Sequence, residues 1–266
     1  MKLNDKFTEL KPRNEGALIA YICAGDPSPD DTAAIVHALV RGGADIIELG
    51  LPFSDPIADG PTIQASIERA LDSGMTPDIF FELAGSLDVD VPLVVMTYYN
   101  IIFKRGLERF VRDCVNNGIT GIIVPDLPVE ESDDLAIQCR RYGVDLIFFI
   151  APTTYPERME RIADRGSGFI YLVARTGVTG AREDVAESTL SLIEQVRSTT
   201  HTKTPLAVGF GISMPDQASA VIEAGADGVI VGSAFVNIIA EGVDVPERIE
   251  ELARELKRGC CPKSVF

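Results

Sequence analysis

Short apolar runs rich in β-branched residues alternate with amphipathic stretches about eight times along this chain, and that alternation narrows the possible folds more than any other feature. The runs fall at residues 17–23, 45–50, 92–98, 118–125, 144–151, 168–174, 205–210 and 227–232. Most are nearly continuous in apolar residues, as in Leu146-Ile147-Phe148-Phe149-Ile150. Strands read this way when both faces are covered, as parallel strands are. Between them, sets such as Ala33, Val36, Val40 and Phe110, Val111, Cys114, Val115 recur at helical spacing. Several helices stop at a glycine just before a strand, a residue that takes the left-handed C-cap geometry without steric cost. The approximate repeat G-A-D-x-[IV]-[IV] at 43–47 and 225–230 reads as one helix-to-strand corner used twice. Eight βα units with no Pro/Ser-rich linker predict an α/β protein, a single (β/α)8 TIM barrel with extra short helices. The barrel should occupy residues 1–258, with a frayed tail at 259–266. An open doubly wound sheet is the alternative.

The chain has 266 residues, enough for one large barrel or two small domains, and 46% of them are hydrophobic, ample for a buried core. Its longest apolar run, 144–151, is far short of the ~20 residues a membrane helix needs, and it contains Asp145. Residues 1–11 lack the apolar core of a signal peptide, so a cytoplasmic protein is expected. The five cysteines include no C-x-x-C pair. Cys23, Cys114 and Cys139 read as small buried apolar residues, and Cys260 and Cys261 as part of the frayed tail. A formal charge of −16 argues against nucleic acid or an anionic membrane as partner.

In such a barrel the loops after the C-terminal strand ends carry function. Here the loops at 51–61 and 175–184 are long and the opposite loops are short. Three glycine-rich segments follow the last three predicted strands: Gly177-Val178-Thr179-Gly180, Gly209-Phe210-Gly211-Ile212-Ser213 and Gly232-Ser233-Ala234-Phe235. Glycines let backbone N–H groups converge on an anion, and Gly232-Ser233 also opens a short helix whose N-terminus favours negative charge. Taken singly, each segment could be an ordinary tight turn. Taken together, in this order, they predict a phosphate site.

Glu48 ends the second predicted strand, and Asp59 follows eleven positions later in the proline-stiffened loop Pro52-Phe53-Ser54-Asp55-Pro56-Ile57-Ala58-Asp59-Gly60-Pro61. An inward carboxylate at a barrel mouth is costly unless paired, and its pKa can rise into the range useful for proton transfer. The plainer alternative makes Glu48 a salt-bridged rim residue and Asp59 a loop cap. The only histidines, His37 and His201, lie in the first helix and ahead of the seventh predicted strand, which disfavours a histidine metal site or triad. No lysine ends a predicted strand, so Schiff-base chemistry lacks its nucleophile. What remains is cofactor-free proton transfer on a small phosphate ester. Phe148, Phe149 and Phe169, together with Met75, Met96, Met159 and Met214, read as packing residues.

From about Phe7 to Leu256 the chain resembles the tryptophan synthase alpha chain family. Its most specific segment is Glu48-Leu-Gly-Leu-Pro-Phe-Ser-Asp-Pro-Ile-Ala-Asp-Gly-Pro-Thr-Ile-Gln64. Gly25-Asp26-Pro27, Pro125-Asp126-Leu127-Pro128-Val129-Glu130-Glu131, Arg175-Thr-Gly-Val-Thr-Gly180 and Gly209-Phe-Gly-Ile-Ser213 follow in the expected order. The resemblance implies a lyase of tryptophan biosynthesis that cleaves indole-3-glycerol phosphate to indole and glyceraldehyde 3-phosphate. It implies Glu48 as the acid–base group at indole C3 and Asp59 as the partner of the indole N–H. It also implies Tyr171 beside the acid, Thr179 on a mobile lid, and Gly180, Gly211, Gly232 and Ser233 at the phosphate. Tyr21, Ile63, Phe210 and Ile230 would wall the indole pocket.

The same resemblance implies no metal and no cofactor in this chain. Pyridoxal phosphate would reside in a partner β chain, in an α2β2 heterotetramer. Asp55 would pair with a basic residue of that partner. The segment holding Asp126 and Pro128 lies on the same rim, where Asp126 could meet the partner or cap a turn. Tyr21 stands where phenylalanine is common in the family, and Ala174 and Thr176 where serines are frequent.

Overall fold

The computed structural model describes residues 2–173, 182–209 and 211–261, with the backbone alone for 182–188. Nine parallel strand segments form its sheet: β1 Ala17–Cys23, β2 Ile46–Gly50, β3 Leu93–Met96, β4 Ile119–Ile123, β5 Asp145–Ile147, β6 Phe149–Ile150, β7 Ile170–Val173, β8 Leu206–Gly209 and β9 Gly228–Val231. They run in the order β5-β4-β3-β2-β1-β9-β8-β7-β6. The two ends of that order are consecutive in sequence. β5 pairs with β4, β6 pairs with β7, and the single residue Phe148 separates them. The pair is therefore one barrel strand interrupted at Phe148, and the barrel closes through it. The eight apolar runs correspond to eight barrel strands, the fifth broken in the middle.

Side chains of a strand alternate between faces, and this period decides what reaches the barrel interior. Ala17 and Ile19 of β1, Ile46 of β2, Val94 of β3, Ile123 of β4, Ile147 of β5, Phe169, Ala207 of β8 and Ile230 of β9 form one buried cluster. Leu3, Phe7 and Leu10 of the helix Leu3–Leu10 join it, so that helix packs into the same interior. The remaining core lies between the strands and the surrounding helices. Continuing the alternation upward puts Tyr21, Glu48, Gly50, Met96, Phe149, Tyr171, Gly209 and Gly232 at the mouth.

The repeated G-A-D corner has a physical cause. The Asp45 carboxylate accepts the Leu18 N–H of the adjoining strand at 2.8 Å and the Lys257 ammonium at 2.9 Å. The Asp227 carboxylate accepts the Leu206 N–H at 2.8 Å and the Arg197 guanidinium at 2.5 Å. Each aspartate also donates its own N–H to the carbonyl of the residue it caps. Each corner thus ties two neighbouring strands together, and a cation brought by a helix balances the aspartate's charge.

Lys257 belongs to the helix Val245–Gly259 and also donates to the Gly16 carbonyl, while the Gly16 N–H donates to the Cys260 carbonyl at 2.8 Å. The expected frayed tail is corrected here: Gly259 closes this helix and Cys260 is buried, because its backbone is bonded to the chain ahead of β1. Residues 262–266 lie outside the described residues. Cys23, Cys114 and Cys139 are buried as expected. No described helix is long and apolar enough to cross a membrane.

Candidate active site

The C-terminal mouth opens on a cavity of about 660 Å³, and both predicted acids line it. Glu48 is inward-facing in β2, in register with Tyr21 of β1 and Val94 of β3. Only 1% of its surface is exposed, and its Oε2 is buried without a hydrogen-bond partner among the described residues. A carboxylate in that setting gives up its hydration with nothing in return. Burial therefore pushes the Glu48 carboxyl up to about 8, and the Asp59 carboxylate adds to the rise. The plainer alternative, a salt-bridged rim residue, is not what the structure contains.

Asp59 sits half-buried in the loop after β2. Burial raises its pKa, and a hydrogen bond from Tyr98 opposes the rise. The Tyr98 hydroxyl donates to Asp59 Oδ2 at 2.6 Å and accepts the Ala58 N–H at 3.0 Å. Gln64 Nε2 donates to the Asp59 carbonyl at 2.7 Å, so the loop is held on both sides of the acid. The sequence reading missed Tyr98, although it is the last residue of the predicted run 92–98 and lies two residues past β3, where mouth-facing side chains gather.

Two tyrosines flank the acids because glycines leave room for them. A Cβ at Gly50 would lie 2.5 Å from the Tyr21 hydroxyl, and one at Gly209 would lie 2.5 Å from the Tyr171 hydroxyl. Burial, and then the nearby carboxylates of Glu48 and Asp59, raise the Tyr171 phenol well above its usual range. It therefore stays protonated beside the acids. Ile63 and Ile230 line the cavity with Tyr21 and Tyr171. Phe149 and Met96 correct the packing reading, since both line the cavity and Phe149 lies 4.7 Å from the Tyr171 ring. Phe148 and Phe169 are buried as expected.

The same cavity is lined by Gly211, Ser213, Gly232, Ser233, Ala234 and Asn237. Ser233 begins the helix Ser233–Glu241, and no described side chain caps that N-terminus. Its first N–H groups are thus available to an anion, in the field of the helix dipole. Gly211 takes φ +76°, a conformation open to glycine, where its backbone can face a ligand. Thr179, Gly180 and Phe210 lie outside the described residues, as does the loop at 174–181 expected to form the lid. Asp55 is exposed, and Asp126 and Pro128 are half-buried. Asp126 Oδ1 accepts the Tyr99 N–H at 2.8 Å and so caps the helix Tyr99–Arg105.

The cavity can therefore hold an anionic group at its glycine turns and present a protonated carboxyl and a carboxylate to an apolar ring. Comparison with known proteins bears on which molecule that is. A family model described as "Tryptophan synthase alpha chain" matches residues 7–261. The tryptophan synthase alpha chain of Methanosarcina barkeri is 59% identical over 258 residues, covering 97% of each chain. The crystal structure of tryptophan synthase subunit alpha from Legionella pneumophila aligns with a TM-score of 0.89 at 34% identity, covering 98% of both chains. A chain of the tryptophan synthase complex from Pyrococcus furiosus aligns at 0.83 with 36% identity, covering 91% of this chain and 98% of that one.

Proposed function

The chain belongs to the tryptophan synthase alpha chain family, lyases that cleave indole-3-glycerol phosphate to indole and glyceraldehyde 3-phosphate, and from that premise we propose how its own residues perform the reaction. One observation carries the assignment: a buried carboxyl with an unpartnered oxygen and a pKa near 8 shares a cavity with a second acid and an uncapped helix N-terminus.

The phosphate binds the backbone N–H groups at Gly211, Gly232 and Ser233, with Gly180 completing the site. That pins the glycerol arm and leaves the indole ring among Tyr21, Ile63, Ile230 and Phe210. Protonated Glu48 delivers its proton to indole C3, and the ring becomes cationic. The Asp59 carboxylate accepts the ring N–H and stabilises that cation, an interaction stronger in the transition state than in the ground state. The bond from C3 to the carbinol carbon then breaks, its electron pair returning to the ring. As the carbonyl forms, the side-chain hydroxyl gives its proton to Glu48. One proton enters at C3 and one leaves the hydroxyl, so Glu48 ends protonated, as it began. Tyr171 packs beside the acid and helps to keep water away.

The chain itself holds no cofactor in this scheme. Indole passes to a β chain, whose pyridoxal phosphate condenses it with serine. That partner docks on the rim bearing Asp55, Asp126 and Pro128 in an α2β2 assembly, in the cytoplasm. Titration tests the acid assignment. Because Glu48 works in its protonated form, kcat/KM for the free enzyme falls as pH rises through about 8. Because Asp59 works ionised, kcat/KM also falls on the acid side. A rate that is flat from pH 7 to 9.5 contradicts the role given to Glu48.

A further inference from the structure

We infer that Tyr98 is a positioning residue for the cleavage, selecting which oxygen of Asp59 meets the indole N–H; this rests on the role proposed above for Asp59. Tyr98 is only 3% exposed and is not part of the cavity wall, so it reaches the reaction through its neighbour. Its hydroxyl makes two bonds of opposite sense. It donates to Asp59 Oδ2 and accepts the N–H of Ala58, the residue before the acid. The two bonds fix side chain and backbone together, which removes the rotation about χ1 and χ2 that a loop carboxylate otherwise retains.

Three further contacts hold the tyrosine in place. Its ring lies 5.4 Å from that of Phe53, in the same loop as Asp59. The preceding Thr97 donates its hydroxyl to the Leu51 carbonyl at the start of that loop, at 3.1 Å. The following Tyr99 N–H is held by Asp126. Tyr98 is thus clamped between β3, the loop after β2 and the loop after β4, a rigid mount of the kind that aims a reacting group.

With Oδ2 occupied, Oδ1 is the oxygen left for the ring N–H, and among the described residues nothing bonds it. A carboxylate that already accepts a short phenol hydrogen bond is also a weaker base, so it stays ionised and does not take the ring proton outright. Tyr98 thereby keeps Asp59 as a hydrogen-bond acceptor for the cationic ring.

The experiment compares Tyr98→Phe, Asp59→Asn and the double variant, following indole release from indole-3-glycerol phosphate against pH. Tyr98→Phe keeps the ring against Phe53, and its melting temperature reports that the barrel is intact. Its kcat should fall about 10–100-fold with a smaller change in KM, as for a lost charge-assisted hydrogen bond that matters most in the transition state. The acid limb of kcat/KM should move to higher pH, because Tyr98 holds the Asp59 carboxyl down. In the Asp59→Asn background, removing the Tyr98 hydroxyl should change kcat less than about twofold. Equal losses in both backgrounds, with the acid limb unmoved, would overturn the inference while leaving the acid assignments intact. Full turnover in Asp59→Asn alone would instead remove the role of Asp59, and this inference with it.

Discussion

Glu48→Gln should lower kcat for indole release by about 10²–10⁴-fold while leaving the Kd of the phosphorylated substrate within about threefold. Glutamine keeps the shape and a polar head but has no proton to give C3 and no carboxylate to take one from the hydroxyl. The proposed phosphate contacts are backbone N–H groups of other loops and are untouched by the substitution, so affinity should persist. The same substitution should stabilise the folded protein. In the unfolded chain Glu48 ionises near its ordinary 4.5; in the barrel it does so near 8. The folded state holds the proton more tightly, so wild-type stability falls as pH rises from about 4.5 to 8 and levels off above. Glutamine removes that loss. At pH 8 the variant should be more stable by something on the order of 4 kcal/mol, and at pH 4 the two should converge. Urea titrations at the two pH values check this. Such a site is costly to keep, in line with the strain that active sites hold against stability.

Arg69→Leu should destabilise the protein by about 2–3 kcal/mol. Arg69, on the helix Pro61–Asp72, reaches Asp26 after β1 through two bonds of 2.7 and 2.8 Å. The Asp26 side chain is fully buried, and Arg69 is about a third exposed. Burial raises the Asp26 pKa despite the arginine, so desolvation already outweighs the pairing. Without Arg69 the carboxylate is buried alone, the arrangement that costs most; the arginine's exposure places the loss below the 3–5 kcal/mol of a fully buried pair. The remaining carboxyl should titrate higher still, so the deficit grows as pH rises. Asp26→Asn combined with Arg69→Leu should recover most of it, because no charge is left unpaired. A single variant within 0.5 kcal/mol of wild type, on the scale of an exposed ion pair, would show that the pair contributes little.

The strands were legible because parallel strands buried on both faces leave long apolar runs, and glycine corners mark where each begins. The acids were legible too: Glu48 lies at a strand end, and Asp59 lies in a loop too long for a simple connection. Other parts depend on relations that no local pattern contains. Tyr98 meets Asp59 across 39 positions, and Arg69 meets Asp26 across 43. Both bonds follow from how loops fold back over neighbouring strands. Phe149 was read as packing because a wholly apolar run does not say which face each residue takes. The strand alternation, which runs on through the break, turns Phe148 to the outer core and Phe149 into the mouth. Cys260 was assigned to a loose end because the bond from Gly16 that buries it joins the two ends of the chain.

The proposed mechanism requires one ring to lie between the two acids while its phosphate sits on the glycine turns. A crystal structure of the Glu48→Gln variant with indole-3-glycerol phosphate measures it directly. The ring nitrogen should lie within ~3 Å of Asp59 Oδ1, C3 should face the residue 48 side chain, and phosphate oxygens should lie within ~3 Å of the N–H groups of Gly211 and Ser233. A ring turned with its nitrogen away from Asp59, or a phosphate seated elsewhere in the mouth, would contradict the account.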